Sequence, residues 1–342
     1  MTSLPISRVP DPMDAPTKNW GILAPGGIAT AMAHALAAFT RQRVVAVGSR
    51  SQERADAFAA KFAVPKAYGS YEALVADADV DIVYVASPHS EHRAQALLAI
   101  EAGKAVLVEK AFARSAAEAR DMVDAARAKG VAAMEAMWTR FLPRTDIVRQ
   151  VLADGVLGEI VTLLADHGQA LTHVPRLMRP ELAGGALLDL GIYPVSFACF
   201  ALGTPARVTA TGQLTDTGVD AQDSICLDQF PGHPHAQALL NCALRSKTPT
   251  TAAICGADAR LELDGDFYTP GAVRLVRDGQ AVVSPPPPLT GHQGMAYEAA
   301  HFAQLVADGQ AESPLLPLDE TVAIMGVLDA VRQQVGVSFP GE

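Results

Sequence analysis

Positive charge and cysteine are both scarce in this sequence of 342 residues. Lysine and arginine together number 27 against 37 acidic residues, which gives a formal net charge of -10, and no basic stripe with interleaved aromatics follows the chain. A nucleic-acid partner is therefore not expected, because a phosphate backbone is bound by clustered cations. The four cysteines are widely spaced with no CxxC pair, which favours reduced core cysteines over a metal or redox centre.

Long apolar runs are also missing. Residues 1–18 contain prolines and charges but no apolar core of a signal peptide, so we interpret them as a flexible N-terminal arm. The most lipid-like stretch, residues 186–202, is short for a membrane span and carries Asp189 and Pro194. A buried helix is favoured over a membrane one, and we expect a cytoplasmic protein with no membrane partner.

Short apolar runs alternate with amphipathic helical patterns in the first part of the chain. The runs show no polar alternation, as strands of a parallel sheet covered on both faces require. Strands are predicted at 20–24, 43–49, 81–87, 105–110 and 131–136, and helices near 27–39, 51–62, 70–77, 91–102 and 115–129. This repeated βαβ pattern predicts an α/β domain with a doubly wound parallel sheet over residues 19–140.

The pattern changes after about residue 155, where apolar runs recur at short intervals with turn residues between them. Such spacing predicts an open, mostly antiparallel sheet, which makes residues 141–342 a second domain of the α+β class. Two late helices, near 293–308 and 318–335, are expected to pack back toward the first domain. A length of 342 residues also favours two domains over one.

The stretch GILAPGGIATAMAHAL joins the first strand to the first helix. It approximates GxGxxG, with Ala24 at the first glycine position. Pro25, Gly26, Gly27 and Ile28 are candidate contacts to a pyrophosphate, whose charge would lie at the helix N-terminus. A glycine turn with a purely structural role would be about as common, so this motif alone decides little.

The end of the second strand carries Ser49, Arg50 and Ser51 where an acidic residue would bind the ribose hydroxyls of NAD. A guanidinium and hydroxyls would bind a 2′-phosphate, whereas a carboxylate would repel it. The sequence therefore favours NADP as cofactor. A solvated arginine at a helix start is the alternative.

ASPHSEHRAQ follows the fourth strand, at the sheet edge where open α/β sheets bind ligands. Ser87, Pro88, His89 and His92 could line a nicotinamide ribose pocket. No third metal ligand is evident beside the two histidines, so no metal is predicted. Helix capping by Ser90 would also explain the local polarity.

The fifth predicted strand ends in Glu109 and Lys110. Charged groups at the end of a buried strand lose hydration unless they are paired or used. With a cofactor across this edge, Lys110 would point toward the nicotinamide and Glu109 could bond a ribose hydroxyl. From this segment alone a surface ion pair is equally compatible.

Asp189 and Tyr193 lie four residues apart in GGALLDLGIYPV, so a helix would present a carboxylate and a phenol on one face. Hydride transfer at a carbon bearing oxygen also requires a proton to move at that oxygen. A lysine ammonium lowers the pKa of a neighbouring phenol from about 10, which makes it a usable acid or base. Trp138 and Arg140 could pack beside a nicotinamide or join the two domains.

These motifs together resemble the Gfo/Idh/MocA oxidoreductase family, within it the branch of dimeric dihydrodiol dehydrogenases and NADP-linked xylose dehydrogenases. The resemblance covers roughly residues 19–340 and rests on seven segments in order. They are WGILAPGGIA, SRSQERADAFAAKF, KAYGSYEALVADADVDIVYVASPHSEH, AGKAVLVEKAFA, MEAMWTRFLP, GGALLDLGIYPV and SPLLPLDETVAIMGVLDAVRQQVGV. It implies a Rossmann domain followed by a substrate-binding and oligomerisation domain.

The resemblance also implies roles for residues. The motif lysine falls on Lys110, the helix carboxylate on Asp189, the proton-transferring position on Tyr193 and the 2′-phosphate arginine on Arg50. The chain departs from the pattern at Ala111, where the family usually has proline after the lysine. Without that proline a fixed φ is lost just after Lys110.

The function expected is NADP(H)-dependent hydride transfer to or from a sugar, a cyclic polyol or a trans-dihydrodiol. Tyr193 would exchange the proton with help from Lys110, while Asp189 orients the substrate. A homodimer or larger assembly is expected through the face of the second sheet. Two alternative functions remain: a glycosidase that uses a bound nicotinamide transiently, and a non-catalytic NADP-binding sensor.

Overall fold

The computed structural model describes residues 3–341, so the first two residues of the predicted arm lie outside the described part. The chain forms two compact units, and each is described by itself. Pro10–Phe141 and Gly291–Val322 form the parallel-sheet unit. Residues 3–9, Leu142–Thr290 and residues 323–341 form the antiparallel-sheet unit.

The parallel-sheet unit is built on six parallel strands in the order β3-β2-β1-β4-β5-β6, which confirms the predicted doubly wound sheet. Its strands are β1 (Asn19–Leu23), β2 (Arg43–Gly48), β3 (Lys66–Tyr68), β4 (Ile82–Val85), β5 (Ala105–Glu109) and β6 (Ala133–Ala136). Its helices are α1 (Gly27–Phe39), α2 (Gln52–Phe62), α3 (Tyr71–Val75), α4 (His89–Glu101), α5 (Ala116–Lys129) and α8 (Met295–Ala307). Every residue of β4, β5 and β6 is buried, because helices cover both faces.

Strand order fixes where this unit can bind a ligand. The chain turns away in opposite directions from β1 and β4, and ligands of such sheets lie outside the carboxyl ends of the strands at that point. The loops after β1, β2, β4 and β5 carry the candidate residues between Ala24 and Lys110. Late in the chain, α8 packs against α1, and the rings of Trp20 and Phe302 meet edge to face with centroids 6.4 Å apart.

The antiparallel-sheet unit has eight strands in the order β14-β13-β12-β11-β7-β10-β9-β8. The strands are β7 (Ile160–Gly168), β8 (Arg207–Leu214), β9 (Asp220–Phe230), β10 (His233–Ala243), β11 (Ala252–Gly256), β12 (Arg260–Leu263), β13 (Arg274–Arg277) and β14 (Gln280–Val283). Its helices are α6 (Pro143–Ala153), α7 (Ile192–Leu202) and the later part of α9 (Leu318–Val335). All neighbouring strands are antiparallel except β7 and β10, so the expectation of a mostly antiparallel sheet is confirmed.

The apolar stretch Pro180–Leu202 has the length and composition of a membrane span, and 94% of its most apolar window is buried inside the protein. The stretch contains α7, which packs on β7 and β10. Its low polarity is therefore explained by a place in the core of the antiparallel-sheet unit, as the sequence analysis favoured.

Candidate functional site

The loop after β1 leaves the N-terminus of α1 open. Ala24 has φ 62°, in the left-handed region where an L residue costs about 1–2 kcal/mol and glycine does not. Alanine therefore makes the same tight turn that a glycine would. Gly26 is the N-cap of α1 and supplies no capping side chain, and a Cβ built on Gly27 would meet no atom within 4 Å. The first amides of α1 thus face a space that an anion could enter.

The end of β2 places Arg50 on the surface and Ser49 beneath it. Ser51 has a structural role as the N-cap of α2, because its hydroxyl accepts a hydrogen bond from Arg54 N at 3.4 Å. Tyr71 was not predicted as a site residue, and its phenol lies within the electrostatic influence of Arg50. Burial raises the pKa of Tyr71, while Arg50 lowers it and Glu91 raises it. Arg50 therefore has a phenol as an electrostatic neighbour at the sheet edge.

The loop after β4 contains an unsatisfied hydroxyl. Ser87 Oγ is buried and accepts or donates no hydrogen bond within the described residues. His92 is fully buried, with Nε2 2.9 Å from Ser87 O and Nδ1 3.0 Å from Ala111 O, and burial lowers its pKa. His92 thus ties the loop after β4 to the loop after β5, with the buried ring of His89 5.6 Å away.

Glu109 and Lys110 stand at the end of β5. The buried Glu109 carboxylate accepts a hydrogen bond from the Tyr84 hydroxyl of β4, and Lys110 is half-buried. The Lys110–Ala111 peptide bond is cis. The backbone after it is held by Glu135 of β6, whose Oε1 accepts from Phe112 N at 3.2 Å.

Trp138 and Arg140 have partners within their own unit. The Trp138 ring stacks on His292 with centroids 5.7 Å apart and planes at 11°. Arg140 is buried and donates to Glu320 at 2.7 Å. Burial, with Lys110 as a second cause, lowers the pKa of His292. Contacts of Trp138 and Arg140 to a cofactor stay a prediction.

In the antiparallel-sheet unit, Asp189 and Tyr193 lie on one continuous helical segment that begins as a π-helix, Leu187–Gly191, and continues as α7. Both side chains are almost fully buried. Arg176, which the sequence analysis did not single out, donates to Asp189 Oδ1 at 2.9 Å. The π segment was not predicted either, and its looser winding changes the spacing that an α-helix would give these two residues.

Two aromatic side chains pack around Tyr193, and a glutamine links them. The rings of His167 and Tyr268 lie 5.2 and 4.6 Å from the Tyr193 ring, centroid to centroid. The Gln169 amide nitrogen is 2.9 Å from His167 Nε2 and 3.2 Å from the Tyr268 hydroxyl. Burial and the charge of Asp266 raise the pKa of Tyr268 to about 12, so that phenol stays protonated at neutral pH. Tyr193 therefore sits in a cluster of rings joined by hydrogen bonds.

Comparison with known families decides the identity of both units. Residues 18–137 match the NAD-binding Rossmann domain of the Gfo/Idh/MocA oxidoreductases, and residues 146–262 match the Gfo/Idh/MocA C-terminal domain. The chain belongs to the Gfo/Idh/MocA oxidoreductase family. The resemblance found in the sequence is thereby confirmed, and the protein is an NAD(P)-binding oxidoreductase.

Relatives within this family include the trans-1,2-dihydrobenzene-1,2-diol dehydrogenases. The one from Macaca fascicularis is 39% identical over 94% of this chain and 98% of its own length, and the human one is 38% identical over the same shares. Among solved structures, the 3-ketoreductase KijD10 from Actinomadura kijaniata, in complex with NADP and TDP-benzene, is 27% identical with a TM-score of 0.83. That match covers 94% of this chain and 98% of KijD10.

The residues of this Gfo/Idh/MocA protein fit a nicotinamide dinucleotide. The uncapped N-terminus of α1 offers amides to a pyrophosphate, and the buried Ser87 hydroxyl is left for a partner outside the protein. Among residues 3–341, no group of three or more histidine, cysteine, aspartate or glutamate side chains could hold a metal ion.

Proposed function

We propose that this protein is a cytoplasmic NADP(H)-dependent oxidoreductase that moves a hydride between nicotinamide and the hydroxyl or carbonyl carbon of a sugar, cyclic polyol or trans-dihydrodiol. The observation that carries the proposal is the 39% identity to a dihydrodiol dehydrogenase over 94% of the chain. Resemblance to KijD10 bound to NADP supports the cofactor.

The cofactor would be held by residues at the carboxyl edge of the parallel sheet. Backbone amides of residues 25–28 would bind the pyrophosphate, and Arg50 with Ser49 and Ser51 would bind the 2′-phosphate. Ser87, Pro88, His89 and Glu109 would contact the nicotinamide ribose, while Trp138 would lie near the ring. His92 and Arg140 would act by holding these groups in place.

Proton transfer would be the task of Tyr193. In the oxidative direction its phenolate would accept the substrate hydroxyl proton, and the bound nicotinamide would supply the hydride acceptor. The Lys110 ammonium would stabilise the phenolate, because an opposite charge favours the ionised form. Asp189, which is ion-paired with Arg176, would accept a hydrogen bond from the substrate and orient it.

The direct test is a screen of sugars, cyclic polyols and trans-dihydrodiols with NADP, followed by nicotinamide absorbance. At least one of these classes should give net reduction of NADP. Hydrolysis of an aryl glycoside with a non-exchanging cofactor would instead identify the glycosidase. Binding of NADP without turnover of any class would identify a sensor.

Removal of Arg50 should erase most of the preference for NADP. We expect the unmodified protein to bind NADP at least about tenfold more tightly than NAD, since a charge-assisted contact contributes about 1.5–3 kcal/mol. Calorimetric titration of Arg50→Ala with both cofactors measures the change, and Arg43→Ala, at the opposite end of β2, is the matched control. Equal affinities in the unmodified protein would refute the assignment of NADP.

The open sheet should bind a second copy of the chain. Leu164 of β7 and Leu239 of β10 are direct neighbours, 44% and 46% exposed, and Val161 nearby is 47% exposed. Their row continues through Ala253 of β11 and Cys226 of β9. Because an apolar row across the middle of a sheet is a typical association surface, we propose a homodimer or larger assembly through this face.

Light scattering at micromolar concentration should show a dimer or larger. The double substitution Leu164→Lys with Leu239→Lys should produce monomers, because it would place charges in the apolar contact. Ile6→Lys, which charges an exposed apolar residue outside the sheet, should leave the assembly intact. A monomeric unmodified protein would count against the proposal.

A further inference from the structure

Two buried carboxyl groups lie next to the helical segment that carries Asp189 and Tyr193. Asp220, the first residue of β9, is 2% exposed, and Asp223 on the same strand is 0% exposed. Asp220 Oδ2 accepts a hydrogen bond of 2.5 Å from Leu187 N, the first residue of the π-helix. One carboxyl thus holds the start of the segment directly.

Asp223 contacts the middle of the same segment through a cysteine. In the sheet register Asp223 lies between Gly212 of β8 and Cys242 of β10. The Cys242 thiol donates to Asp223 Oδ2 at 3.5 Å, and its sulfur would lie 2.9 Å from a Cβ built on Gly191. Gly191 is the last residue of the π-helix, between Asp189 and Tyr193. Asp223 therefore contacts Cys242, and Cys242 in turn packs against the backbone of the helical segment.

Glycines leave the space that the two carboxyl groups fill. A Cβ on Gly185 would lie 2.1 Å from Asp220 Oδ1, and a Cβ on Gly212 would lie 2.3 Å from Asp223 Oδ1. Gly185 also has φ 111°, which other residues rarely adopt. Side chains at either position would displace the carboxyl groups from the helical segment.

The two carboxyl groups lie three residues apart on β9, both are buried, and each acts on the ionisation of the other, so ionising both at once is unfavourable. No hydrogen-bond donor of the described residues reaches Asp223 Oδ1, and the ionisable groups acting on Asp223 are Asp220 and Cys242. Two buried carboxylates that act on each other repel, and one proton held by the pair removes the repulsion. Burial raises the pKa of Asp220, and burial with the charge of Asp220 raises that of Asp223 to about 8.

We propose that Asp220 and Asp223 are positioning residues, which hold the segment of Asp189 and Tyr193 in place as a carboxyl pair sharing one proton. The proposal rests on the proposed roles of Asp189 and Tyr193 in proton transfer. Its consequence is that loss of the shared proton loosens the support beneath both residues.

The pair makes stability depend on pH. An aspartate in the unfolded chain is ionised above about pH 4, whereas the folded pair keeps one proton until about pH 8. The folded state therefore binds more protons than the unfolded state in this window. The free energy of unfolding should fall as the pH rises from about 4 to 8, and this contribution should level off above pH 8.

Asp223→Asn tests the shared proton without any substrate. The pH 7 minus pH 9 infrared difference spectrum should show a larger protonated-carboxyl band in the unmodified protein than in Asp223→Asn, because the other buried carboxyls, Glu135 and Glu298, are present in both proteins. The melting temperature of the variant should fall less steeply between pH 5 and 8. Asp228→Asn, on the same strand but in an ion pair with Arg207 that lowers the Asp228 pKa, should change neither result. If Asp223→Asn and the unmodified protein show the same infrared carboxyl band and the same dependence of melting temperature on pH, the proposal of a shared proton is overturned.

The positioning role is tested by kinetics. The ratio of kcat in Asp223→Asn to kcat in the unmodified protein should rise from pH 7 to pH 9, because the unmodified pair loses its proton in this range and the variant has no shared proton to lose. Asp220→Ala should lower kcat at least about tenfold with unchanged NADP affinity, and Asp220→Asn should recover much of it, since its amide oxygen still accepts from Leu187 N. If the kcat ratio stays constant with pH and Asp220→Ala is fully active, the positioning role is overturned, even when the infrared band of the shared proton is observed. Failure of Tyr193→Phe to affect turnover would instead refute the proposed function and leave the infrared result standing.

Discussion

Lys110→Met is expected to lower kcat by about 10²–10⁴-fold while the affinity for NADP changes by less than about threefold. Methionine keeps an unbranched stem at the end of β5 and removes the ammonium that would stabilise the Tyr193 phenolate. The proposed pyrophosphate and 2′-phosphate contacts lie on other loops, after β1 and β2, so they should persist. Single-turnover absorbance measurements would report the hydride step, and calorimetry would report cofactor affinity.

Lys129→Met is a suitable control for that variant. Lys129 ends α5, and among residues 3–341 its only ion-pair contact is a long one of 4.0 Å with Glu101, so its loss should leave kcat unchanged. Lys110→Arg keeps the charge but changes its shape, and should retain more activity than methionine does. A fully active Lys110→Met would remove this residue from the mechanism.

The parallel sheet was predictable from the sequence because its central strands are continuous apolar runs. β4 and β5 are buried along their whole length, so no alternation obscures them. The edge strand β3 was missed, since three half-buried residues, Lys66–Tyr68, give no apolar run. The hairpin of β13 and β14 was missed for the same reason, as each of its strands has four residues, partly exposed.

Strand neighbours in the second sheet could not be derived in the same way. β7 and β10 pair in parallel, although Leu164 and Leu239 are 75 positions apart in the chain, and no local pattern specifies such a pairing. The π-helix is also invisible in the sequence. Residues 187–191 are all buried, so the apolar pattern has no period from which the winding could be inferred.

Candidate residues at strand ends were predictable because parallel strands bring their carboxyl ends to one edge. Arg50 and Lys110 were found by this rule. Tyr71, which influences Arg50 electrostatically, was not, since it lies at the start of a different helix. His167 and Tyr268 were missed because they meet Tyr193 only through packing of segments far apart in the chain.

Tyr193→Phe should have an effect as large as that of Lys110→Met. The variant keeps the ring that packs against His167 and Tyr268 and removes only the oxygen that would exchange the proton. We expect kcat to fall by about 10²–10⁴-fold, the range typical of a lost general acid or base, with KM changed by less than about threefold. Initial rates in both reaction directions measure the two parameters, because one phenol would serve as base in oxidation and as acid in reduction.

Tyr268→Phe separates this role from a general requirement for phenols in the ring cluster. The Tyr268 hydroxyl accepts from Gln169, and its pKa of about 12 keeps it protonated, so it is a poor base at neutral pH. Its removal should cost less than about tenfold in kcat, as expected for one neutral hydrogen bond. Equal losses in the two variants would mean that the ring cluster acts as a unit. Full activity of Tyr193→Phe would place the proton transfer on another group, and the chemistry proposed for Lys110 would then lose the phenolate that it is proposed to stabilise.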